Sequence, residues 1–155
     1  MMNKGKYIFR QANEQEVERL TELSIAAFHI DYLVGGDELD GPPGYDDKSW
    51  HFDMQKEGHL YTFLVDNKII GGAVIFIDNN SVYIGRIFVD PLYHHQGYGV
   101  AIMNAIESLD NTINSFYLDT PIKNIRTNAF YKKIGYIESS RDTECIYYKK
   151  INKSS

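Results

Sequence analysis

The sequence of 155 residues predicts one α+β domain, in which helices pack on a single mixed sheet. Three observations predict it. Apolar segments with the periodicity of strands and helices follow one another in the order β-α-(loop or α)-β-β-β-α-β-α-β-β. Hydrophobic residues make up 43% of the chain and charged residues 24%, as in globular proteins. The length suits one domain over residues 1–155, and the polar residues 152–155 are expected to form a flexible tail.

The first part of the chain predicts a strand, a helix and a loop. Tyr7–Gln11 alternates weakly and is predicted to be a strand. Asn13 followed by Glu16 is a capping signal for a helix that runs to about Phe28. Residues 35–47 hold four glycines and two consecutive prolines, which predicts a loop, and residues 50–56 are a candidate short helix.

The middle of the chain predicts a meander of strands. Residues 59–66, 68–78 and 81–90 are apolar segments separated by Asn67 and by Asn79-Asn80. Asparagine favours such turns because it tolerates positive φ. The remaining elements are predicted to be a helix over residues 97–110, a strand over 115–119 ended by Pro121, a helix over 124–134 closed by Gly135, and strands over 136–141 and 144–151.

The composition excludes several classes of function. The net charge is −5 and no basic run exceeds Lys149-Lys150, so the chain lacks the positive field that nucleic-acid binding requires. No apolar run approaches the roughly 18 residues of a membrane span, and residues 1–6 lack the hydrophobic stretch of a secretory signal. Cys145 is the only cysteine, which predicts a cytoplasmic protein without disulfides. Its strand-like surroundings favour packing over nucleophilic catalysis.

The first candidate site lies between the third strand of the meander and the next helix. It reads Val89-Asp90-Pro91-Leu92-Tyr93-His94-His95-Gln96-Gly97-Tyr98-Gly99. The first turn of a helix leaves amide N–H groups unpaired and carries a partial positive charge. Glycine lets that backbone approach a bulky anion, so the segment suits a phosphate or pyrophosphate. Taken alone, two glycines in a loop also serve simple turn geometry.

The second candidate site is the helix that begins near Asn124. Its polar start is a cap, and Tyr131 lies one turn before the glycine that stops the helix. Taken alone, this is an ordinary amphipathic helix, and Tyr131 would be a half-buried core aromatic.

Together and in this order, the two segments resemble the GNAT superfamily of acyl-CoA-dependent N-acetyltransferases. The family's acyl-CoA loop, Arg/Gln-x-x-Gly-x-Gly/Ala, is similar to His94-His95-Gln96-Gly97-Tyr98-Gly99, with His94 in place of arginine or glutamine and His95 where glycine is common. The later family pattern, Asn-x-x-Ala-x-x-Leu-Tyr-x-x-x-Gly-Phe, is met by Asn124, Phe130, Tyr131, Gly135 and Tyr136, whereas Thr127 replaces the alanine. The resemblance implies a GNAT-like domain with a central, mixed, mostly antiparallel, twisted sheet of about seven strands flanked by helices.

The resemblance also implies that acetyl-CoA is the co-substrate and that no metal takes part. The backbone of Ile87, Phe88 and Val89 would pair with the pantetheine arm where their strand splays from its neighbour. The pyrophosphate would be held by the loop residues His94, His95, Gln96, Gly97, Tyr98, Gly99 and Val100. Asn124 would hydrogen-bond the cofactor and Tyr131 would protonate the leaving thiolate. A backbone N–H near Val89 would stabilise the oxyanion.

The sequence leaves the identity of the general base open. Many family members carry a glutamate on the strand before the loop, and counting back from Gly97 places Tyr83 at that position, although tyrosine is a poor base at neutral pH. Asp119, at the end of the next strand, and a water held by Tyr83 are alternatives, and Asp119 is equally suited to cap its strand. Arg86 is expected on the face opposite to Tyr83, in an ion pair with an acidic neighbour.

The acceptor is expected to be a primary amine of a small cationic molecule. Acidic residues crowd the predicted loop, and only Lys48 opposes them; they are Asp31, Asp37, Glu38, Asp40, Asp46 and Asp47. A solvated loop without a binding role is the alternative. The alternative functions are a non-catalytic acyl-CoA sensor and an acetyltransferase for protein N-termini or lysines. The sequence does not set the oligomeric state, and a homodimer is compatible with it.

Overall fold

The computed structural model describes residues 6–33 and 42–152. Within these residues the chain forms a single domain of seven strands and four α-helices. The strands are β1 Tyr7–Gln11, β2 Leu60–Val65, β3 Lys68–Asp78, β4 Ser81–Val89, β5 Ser115–Pro121, β6 Ile137–Arg141 and β7 Cys145–Ile151. The helices are α1 Val17–Leu33, α2 Lys48–Lys56, α3 Tyr98–Glu107 and α4 Ile125–Lys133. Short 3-10 helices, Glu14–Glu16 and Pro91–Tyr93, precede α1 and follow β4.

The seven strands form one sheet in the order β1-β2-β3-β4-β5-β7-β6. The β4–β5 pair is parallel, and the other five pairs are antiparallel. This confirms the predicted mixed, mostly antiparallel sheet. The two hairpin turns fall where the sequence places them, because Asp66, Asn67 and Asn79 adopt φ of 50°, 68° and 56°. These positive values are conformations that asparagine and aspartate tolerate better than most residues.

Helices cover both faces of the sheet. One face, here called the α1/α2 face, has a core formed by Ala12, Val17, Leu20, Leu23, Ala27, Leu60, Val74 and Phe88. On the opposite face, here called the α3/α4 face, the core includes Ile84, Val89, Ile102, Met103, Ile106, Phe116, Leu118 and Tyr131. No helix within residues 6–33 and 42–152 is long and apolar enough to cross a membrane.

Several element boundaries differ from the prediction by a few residues, and two of the differences have a clear local cause. Helix α1 continues to Leu33 rather than ending near Phe28, because no glycine or proline interrupts it before residue 35. Strand β5 extends through Pro121, which pairs with Cys145 at the last position of the ladder. Proline is tolerated there because a strand end does not require its missing N–H.

The capping signal before α1 is part of a larger polar cluster. The Asn13 amide donates to Oε1 of Glu16 at 3.1 Å, as the capping pattern predicts. Arg10 binds both carboxylate oxygens of Glu16, at 2.9 and 2.8 Å. The Thr62 hydroxyl donates to the same carboxylate at 2.9 Å, which fastens the start of α1 to β2.

Candidate active site

A gap between β4 and β5 is the first feature of the site. Within the described chain, these strands pair only from Ser81 opposite Ser115 to Tyr83 opposite Tyr117. Beyond that point β4 continues along β3, and β5 continues along β7. The two strands therefore part from each other, as the family resemblance implies for the end of β4.

The backbone groups at the end of β4 divide between the neighbouring strand and the gap. The Asp90 amide donates to the Ile70 carbonyl at 2.7 Å, and the Phe88 carbonyl lies against Gly71 of β3. By the alternation of an antiparallel pair, the N–H and C=O groups of Ile87 and Val89 face the gap. Phe88 directs its backbone toward β3 and its side chain into the core of the α1/α2 face.

The segment between β4 and α3 forms a concave stretch of backbone. Oδ1 of Asp90 accepts a hydrogen bond from the Leu92 amide at 3.0 Å, which begins the turn. His95 has φ of 63° and Gly97 φ of 84°, and side chains are strained in this left-handed region. The amides of Gly99 and Val100, in the first turn of α3, have no acceptors within the helix. A cavity of about 430 Å³ lies beside Gly97 and extends along α3.

His94 ties this loop back to the strand. Its Nε2 lies 2.7 Å from the Val89 carbonyl oxygen. Because a carbonyl only accepts, Nε2 carries the hydrogen and donates it. The Val89 carbonyl is thereby satisfied, and the Val89 N–H faces the gap. His94 thus positions the end of β4 in addition to any contact with a phosphate.

Helix α4 is fixed to the sheet by two asparagines. Asn124 is its N-cap and accepts from the Thr127 amide at 3.1 Å. The buried Asn128, which the sequence did not single out, donates to the Pro121 carbonyl at 2.9 Å and accepts from the Tyr148 hydroxyl at 2.6 Å. Its only sequence signal is an amide side chain inside a helix, where such residues are disfavoured unless they find partners.

Tyr131 lies in the core of the α3/α4 face. Its side chain is 7% exposed and belongs to the same apolar cluster as Val89. Its ring centroid lies 5.1 Å from that of Phe130 and 5.8 Å from that of Tyr136. Tyr131, the predicted proton donor to the thiolate, is therefore packed among aromatic rings on the α3/α4 face.

Tyr83 and Asp119 form a pair where the strands part. The Tyr83 hydroxyl donates a hydrogen bond to Oδ1 of Asp119. Burial and then this hydrogen bond raise the pKa of Tyr83 above the ordinary tyrosine value. Tyr83 therefore keeps its proton at neutral pH, and Asp119 is the member of the pair that can accept one. Asp119 lies within β5 rather than after it, so it does not cap the strand.

A β-bulge at Gly85 decides which face Arg86 occupies. Gly85 has no partner, because its two neighbours on β4 pair with consecutive residues of β3. An unpaired residue shifts the alternation of side chains by one. Tyr83 pairs with Phe76 and Arg86 with Val74, and both partners pack in the core of the α1/α2 face. Tyr83 and Arg86 therefore share that face, and the expectation that they lie on opposite faces is wrong.

Arg86 is held without a carboxylate. Its guanidinium carbon lies 4.3 Å from the centroid of the Trp50 ring, and Nη2 donates to the Pro43 carbonyl at 2.7 Å. Nε and Nη1 are buried and have no hydrogen-bond partner. Burial lowers the pKa of Arg86 to about 10. No described carboxylate pairs with Arg86, so the predicted ion pair is not found within residues 6–33 and 42–152.

His51 is a second buried polar side chain beside Trp50. Their ring centroids are 5.1 Å apart. Nδ1 of His51 donates to the Asp47 carbonyl at 2.9 Å, whereas Nε2 is buried without a partner. Burial lowers the pKa of His51, so the imidazole is neutral. Sequence reasoning missed this residue, because nothing in the pattern around it distinguishes a buried histidine from an exposed one.

The predicted acidic loop is described only in part. Asp37, Glu38 and Asp40 lie outside the described residues, as does the side chain of Asp31. Asp47 accepts from the Trp50 amide at 3.2 Å and caps α2, and Asp46 is exposed. Lys48 pairs with Glu18 of α1 at 3.5 Å rather than with the loop.

Two further expectations concern cysteine and metals. Burial raises the pKa of Cys145, which disfavours the thiolate that a nucleophile requires. No group of three or more histidine, cysteine or acidic side chains in residues 6–33 and 42–152 is arranged to hold a metal ion.

The site therefore has a different chemical group on each side of the gap. Tyr131 lies on the α3/α4 face, and the Tyr83–Asp119 pair lies on the α1/α2 face. The Val89 N–H faces the gap at the end of β4, where the loop to α3 begins. A thioester placed in the gap would have a proton donor on one side and a proton acceptor on the other.

Comparison with known proteins agrees with this geometry. The model of the acetyltransferase (GNAT) family matches residues 17–136. YrkN of Bacillus subtilis (strain 168), an uncharacterized protein, is 32% identical over 139 residues, which cover 86% of this chain and 75% of YrkN.

Solved structures of low sequence identity share the fold. The PaiA N-acetyltransferase of Thermoplasma acidophilum, in complex with coenzyme A, is 18% identical with a TM-score of 0.81 over 94% of this chain and 99% of that one. A GNAT-family acetyltransferase of Streptococcus agalactiae 2603 is 18% identical with a TM-score of 0.83 over 96% of each chain. The ribosomal-protein-S18-alanine N-acetyltransferase of Escherichia coli is 15% identical with a TM-score of 0.72 over 97% of this chain and 96% of that one. The match of the family model over most of the sequence, together with this fold, places the chain in the GNAT family of acetyltransferases.

Proposed function

We propose that this protein transfers the acetyl group of acetyl-CoA to a primary amine of a small molecule by direct attack. The observation that carries the proposal is the gap between β4 and β5, with Asp119 on one side and Tyr131 on the other. Acetyl-CoA is the co-substrate of the family, and it supplies the thioester that the amine attacks.

The backbone around the gap suits this co-substrate. The backbone groups of Ile87 and the N–H of Val89 face the gap and are available to an extended, amide-bearing arm and its thioester, whereas the Val89 carbonyl is bound by His94. The glycine-bearing turn at Gly97 and the amides of Gly99 and Val100 suit a pyrophosphate, because they combine close approach with N–H donors that have no acceptor within the helix. The cavity beside Gly97 provides room for the rest of the nucleotide.

Asp119 is proposed as the general base. An ordinary amine has a pKa near 10, so its neutral form is disfavoured by roughly 4 kcal/mol at pH 7. Asp119 takes the amine proton, directly or through a water, while Tyr83 orients the carboxylate and remains protonated. This assignment resolves the choice between Tyr83 and Asp119 in favour of the carboxylate.

The remaining groups act on the thioester. The Val89 N–H donates to the carbonyl oxygen as negative charge develops on it. The bond from nitrogen to the acetyl carbon forms, the carbon–sulfur bond breaks, and Tyr131 gives its proton to the departing thiolate. Similarity to a protein N-terminal acetyltransferase at 15% identity reflects the fold alone and does not select a protein acceptor.

An amine panel tests the proposal. The full chain is assayed for thiol release from acetyl-CoA with small primary amines, and coenzyme A binding is measured by calorimetry. We expect thiol release that depends on the amine. A protein that binds coenzyme A and releases no thiol with any amine would be a sensor of acyl-CoA, and the proposal would fail.

Gly99→Val tests the phosphate loop separately. A Cβ at Gly99 would lie 3.5 Å from the Phe130 ring, an ordinary contact, so the variant is expected to fold. The branched side chain should block the loop amides and remove most of the affinity for coenzyme A. Gly99→Ala, which adds only one methyl group, should retain more affinity. Unchanged affinity in a folded Gly99→Val protein would show that these amides do not hold the cofactor.

A further inference from the structure

The guanidinium of Arg86 has donors that the protein does not use. Nη2 binds the Pro43 carbonyl, a neutral acceptor, whereas Nε and Nη1 are shielded from solvent and have no acceptor. Buried donors without acceptors destabilise a folded protein, and an unpaired buried charge does so more strongly. A charged group in this state beside a catalytic gap is a candidate for binding an anion that the chain itself does not supply.

The surroundings of Arg86 do not supply that anion. Among the described residues, no carboxylate forms an ion pair with it. Tyr83 and His51 lie within reach of its charge, and burial keeps both neutral. Asp47 is engaged at the start of α2, where it accepts from the Trp50 amide. Within residues 6–33 and 42–152, the positive charge of Arg86 therefore has no carboxylate paired with it.

The distance between Arg86 and the proposed base, Asp119, limits the size of a ligand that could contact both. Its β3 partner, Val74, is two residues from Phe76, the partner of Tyr83. Two residues of a strand span about 7 Å, so Arg86 and the Tyr83–Asp119 pair lie within the length of one small molecule. Both are on the α1/α2 face, to which the bulge at Gly85 brings Arg86.

We propose that the acceptor is a small molecule with both a primary amine and a carboxylate, and that Arg86 binds the carboxylate while the amine faces Asp119. This inference rests on the proposed function and names its substrate class. The planar guanidinium matches a carboxylate with two parallel hydrogen bonds, which a neutral carbonyl does not offer. A carboxylate at Arg86 would replace the neutral Pro43 carbonyl as the acceptor of Nη2. A purely cationic acceptor, which the acidic loop predicted, would be repelled at this position.

Matched acceptors test the inference in the wild-type protein. Thiol release from acetyl-CoA is measured with the common α-amino acids, β-alanine and 4-aminobutanoate, each beside its carboxamide, and with 1,4-diaminobutane. The amine of a carboxamide is less basic, so the chemistry of attack alone favours the carboxamide. We expect kcat/KM for the best acid to exceed that for its carboxamide by about 10- to 100-fold, the usual range for a hydrogen bond to a charged group.

Substitutions at Arg86 test its role. Arg86→Met keeps apolar packing on Trp50 and should lower the acid-to-carboxamide ratio of kcat/KM by about 10- to 100-fold, mainly through KM for the acid. Arg86→Lys keeps the charge without the planar fork and should give an intermediate ratio. Arg141→Met removes an exposed arginine bound to Glu138 on the edge strand β6 and should keep the wild-type ratio.

The outcomes separate the inference from the proposed function. Carboxamides or the diamine used as well as the acids would overturn the inference and leave the acetyltransferase standing. A folded Arg86→Met protein with an unchanged ratio would assign Arg86 to anchoring Trp50, and the inference would also fail. If Arg86→Met does not fold, the inference is tested by Arg86→Lys and by the acid and carboxamide acceptors assayed with the wild-type protein. Absence of thiol release with every amine, from a protein that binds coenzyme A, would overturn both proposals.

Discussion

The two faces of the sheet are stabilised in different ways. On the α3/α4 face, the buried polar side chains among the described residues are Thr120 and Asn128. On the α1/α2 face, they are Thr21, Ser24, His51, Thr62 and Asp90, which pairs with Arg19 of α1, and the partly buried Arg86 lies among them. Most of these polar groups have partners, such as the Ser24 hydroxyl, which donates to the Tyr45 carbonyl at 2.8 Å. His51 and Arg86 keep nitrogen atoms without a partner, whereas on the α3/α4 face only the uncharged Thr120 hydroxyl does so among the described residues.

This difference agrees with the proposed reaction, in which one face binds the co-substrate and the other binds the acceptor. The α3/α4 face offers backbone amides, a glycine turn and one buried tyrosine, which suit a co-substrate common to the whole family. The α1/α2 face offers polar side chains brought from α2, β4 and β5, which suit an acceptor particular to this protein. In the proposed reaction, co-substrate binding would thus rest mainly on backbone groups, and acceptor binding on side chains.

The largest expected effect is a loss of kcat on substitution of Tyr131, on the α3/α4 face. If Tyr131 protonates the thiolate, Tyr131→Phe should lower kcat by about 10²–10⁴-fold while acetyl-CoA affinity changes little. Tyr136→Phe is the matched control, because its ring lies 5.8 Å away and its hydroxyl binds Glu107 at 3.0 Å rather than facing the gap. Steady-state kinetics and calorimetry measure the two quantities. A loss of stability without a loss of kcat would make Tyr131 a core residue.

The next effect is on the α1/α2 face. Asp119→Asn should lower kcat/KM for the amine by about 10²-fold at neutral pH, since the amine loses its proton acceptor. The loss should shrink with an acceptor of lower amine pKa or at higher pH, where the neutral amine is already present. The pH profile of kcat/KM with two acceptors measures this. An equal loss with both acceptors at every pH would exclude Asp119 as the base.

A third effect is on stability, at the polar centre of the α3/α4 face. Asn128→Leu should lower the free energy of unfolding by about 2 kcal/mol, because the Pro121 carbonyl and the Tyr148 hydroxyl lose their partner in a buried site. Urea denaturation measures the change. Ile125→Ala, at an exposed position of the same helix, is the control and should have little effect. A change below the control would mean that water replaces the asparagine.

The smallest expected effect concerns pH and the polar cluster before α1. The hydrogen bonds from Arg10, and then those from Asn13 and Thr62, hold the pKa of Glu16 below its ordinary value. A depressed folded pKa stabilises the protein fully above the unfolded value, and this contribution is lost as pH falls through the folded value. Glu16→Gln should therefore lower the unfolding free energy by about 1 kcal/mol or less at neutral pH, because Arg10 is partly exposed.

Glu16→Gln should also make the free energy of unfolding depend less steeply on pH in the acid range. Urea denaturation between neutral pH and the acid limit measures both effects. Glu138→Gln, in an exposed pair with Arg141, is the control. Parallel curves for wild type and Glu16→Gln would show that Glu16 does not contribute to the acid dependence.

Local sequence signals predicted most of the fold and the co-substrate side of the site. The asparagine turns, the cap at Asn13 and the stop at Gly135, whose φ is 102°, depend on interactions within a few residues. The loop before α3 was predictable for the same reason, because the conformation at Gly97 and the unpaired amides of a helix start are local properties. Short-range pattern and backbone chemistry were thus enough to predict the conformation of this loop, and its role in holding a phosphate stays a prediction.

The acceptor side was decided by tertiary structure. Simple alternation placed Arg86 on the wrong face, because the unpaired Gly85 in β4 shifts the alternation of side chains by one residue. A β-bulge depends on pairing with the neighbouring strand, so the local sequence does not reveal it. The choice between Tyr83 and Asp119 needed the parallel pairing of strands 36 residues apart, which brings the hydroxyl and the carboxylate together. The sequence by itself thus determined the family, the element order and the backbone conformation before α3. Only the packing of α2, β4 and β5 decided which side chains share the α1/α2 face beside the gap, since burial and long-range register are properties of the assembled sheet.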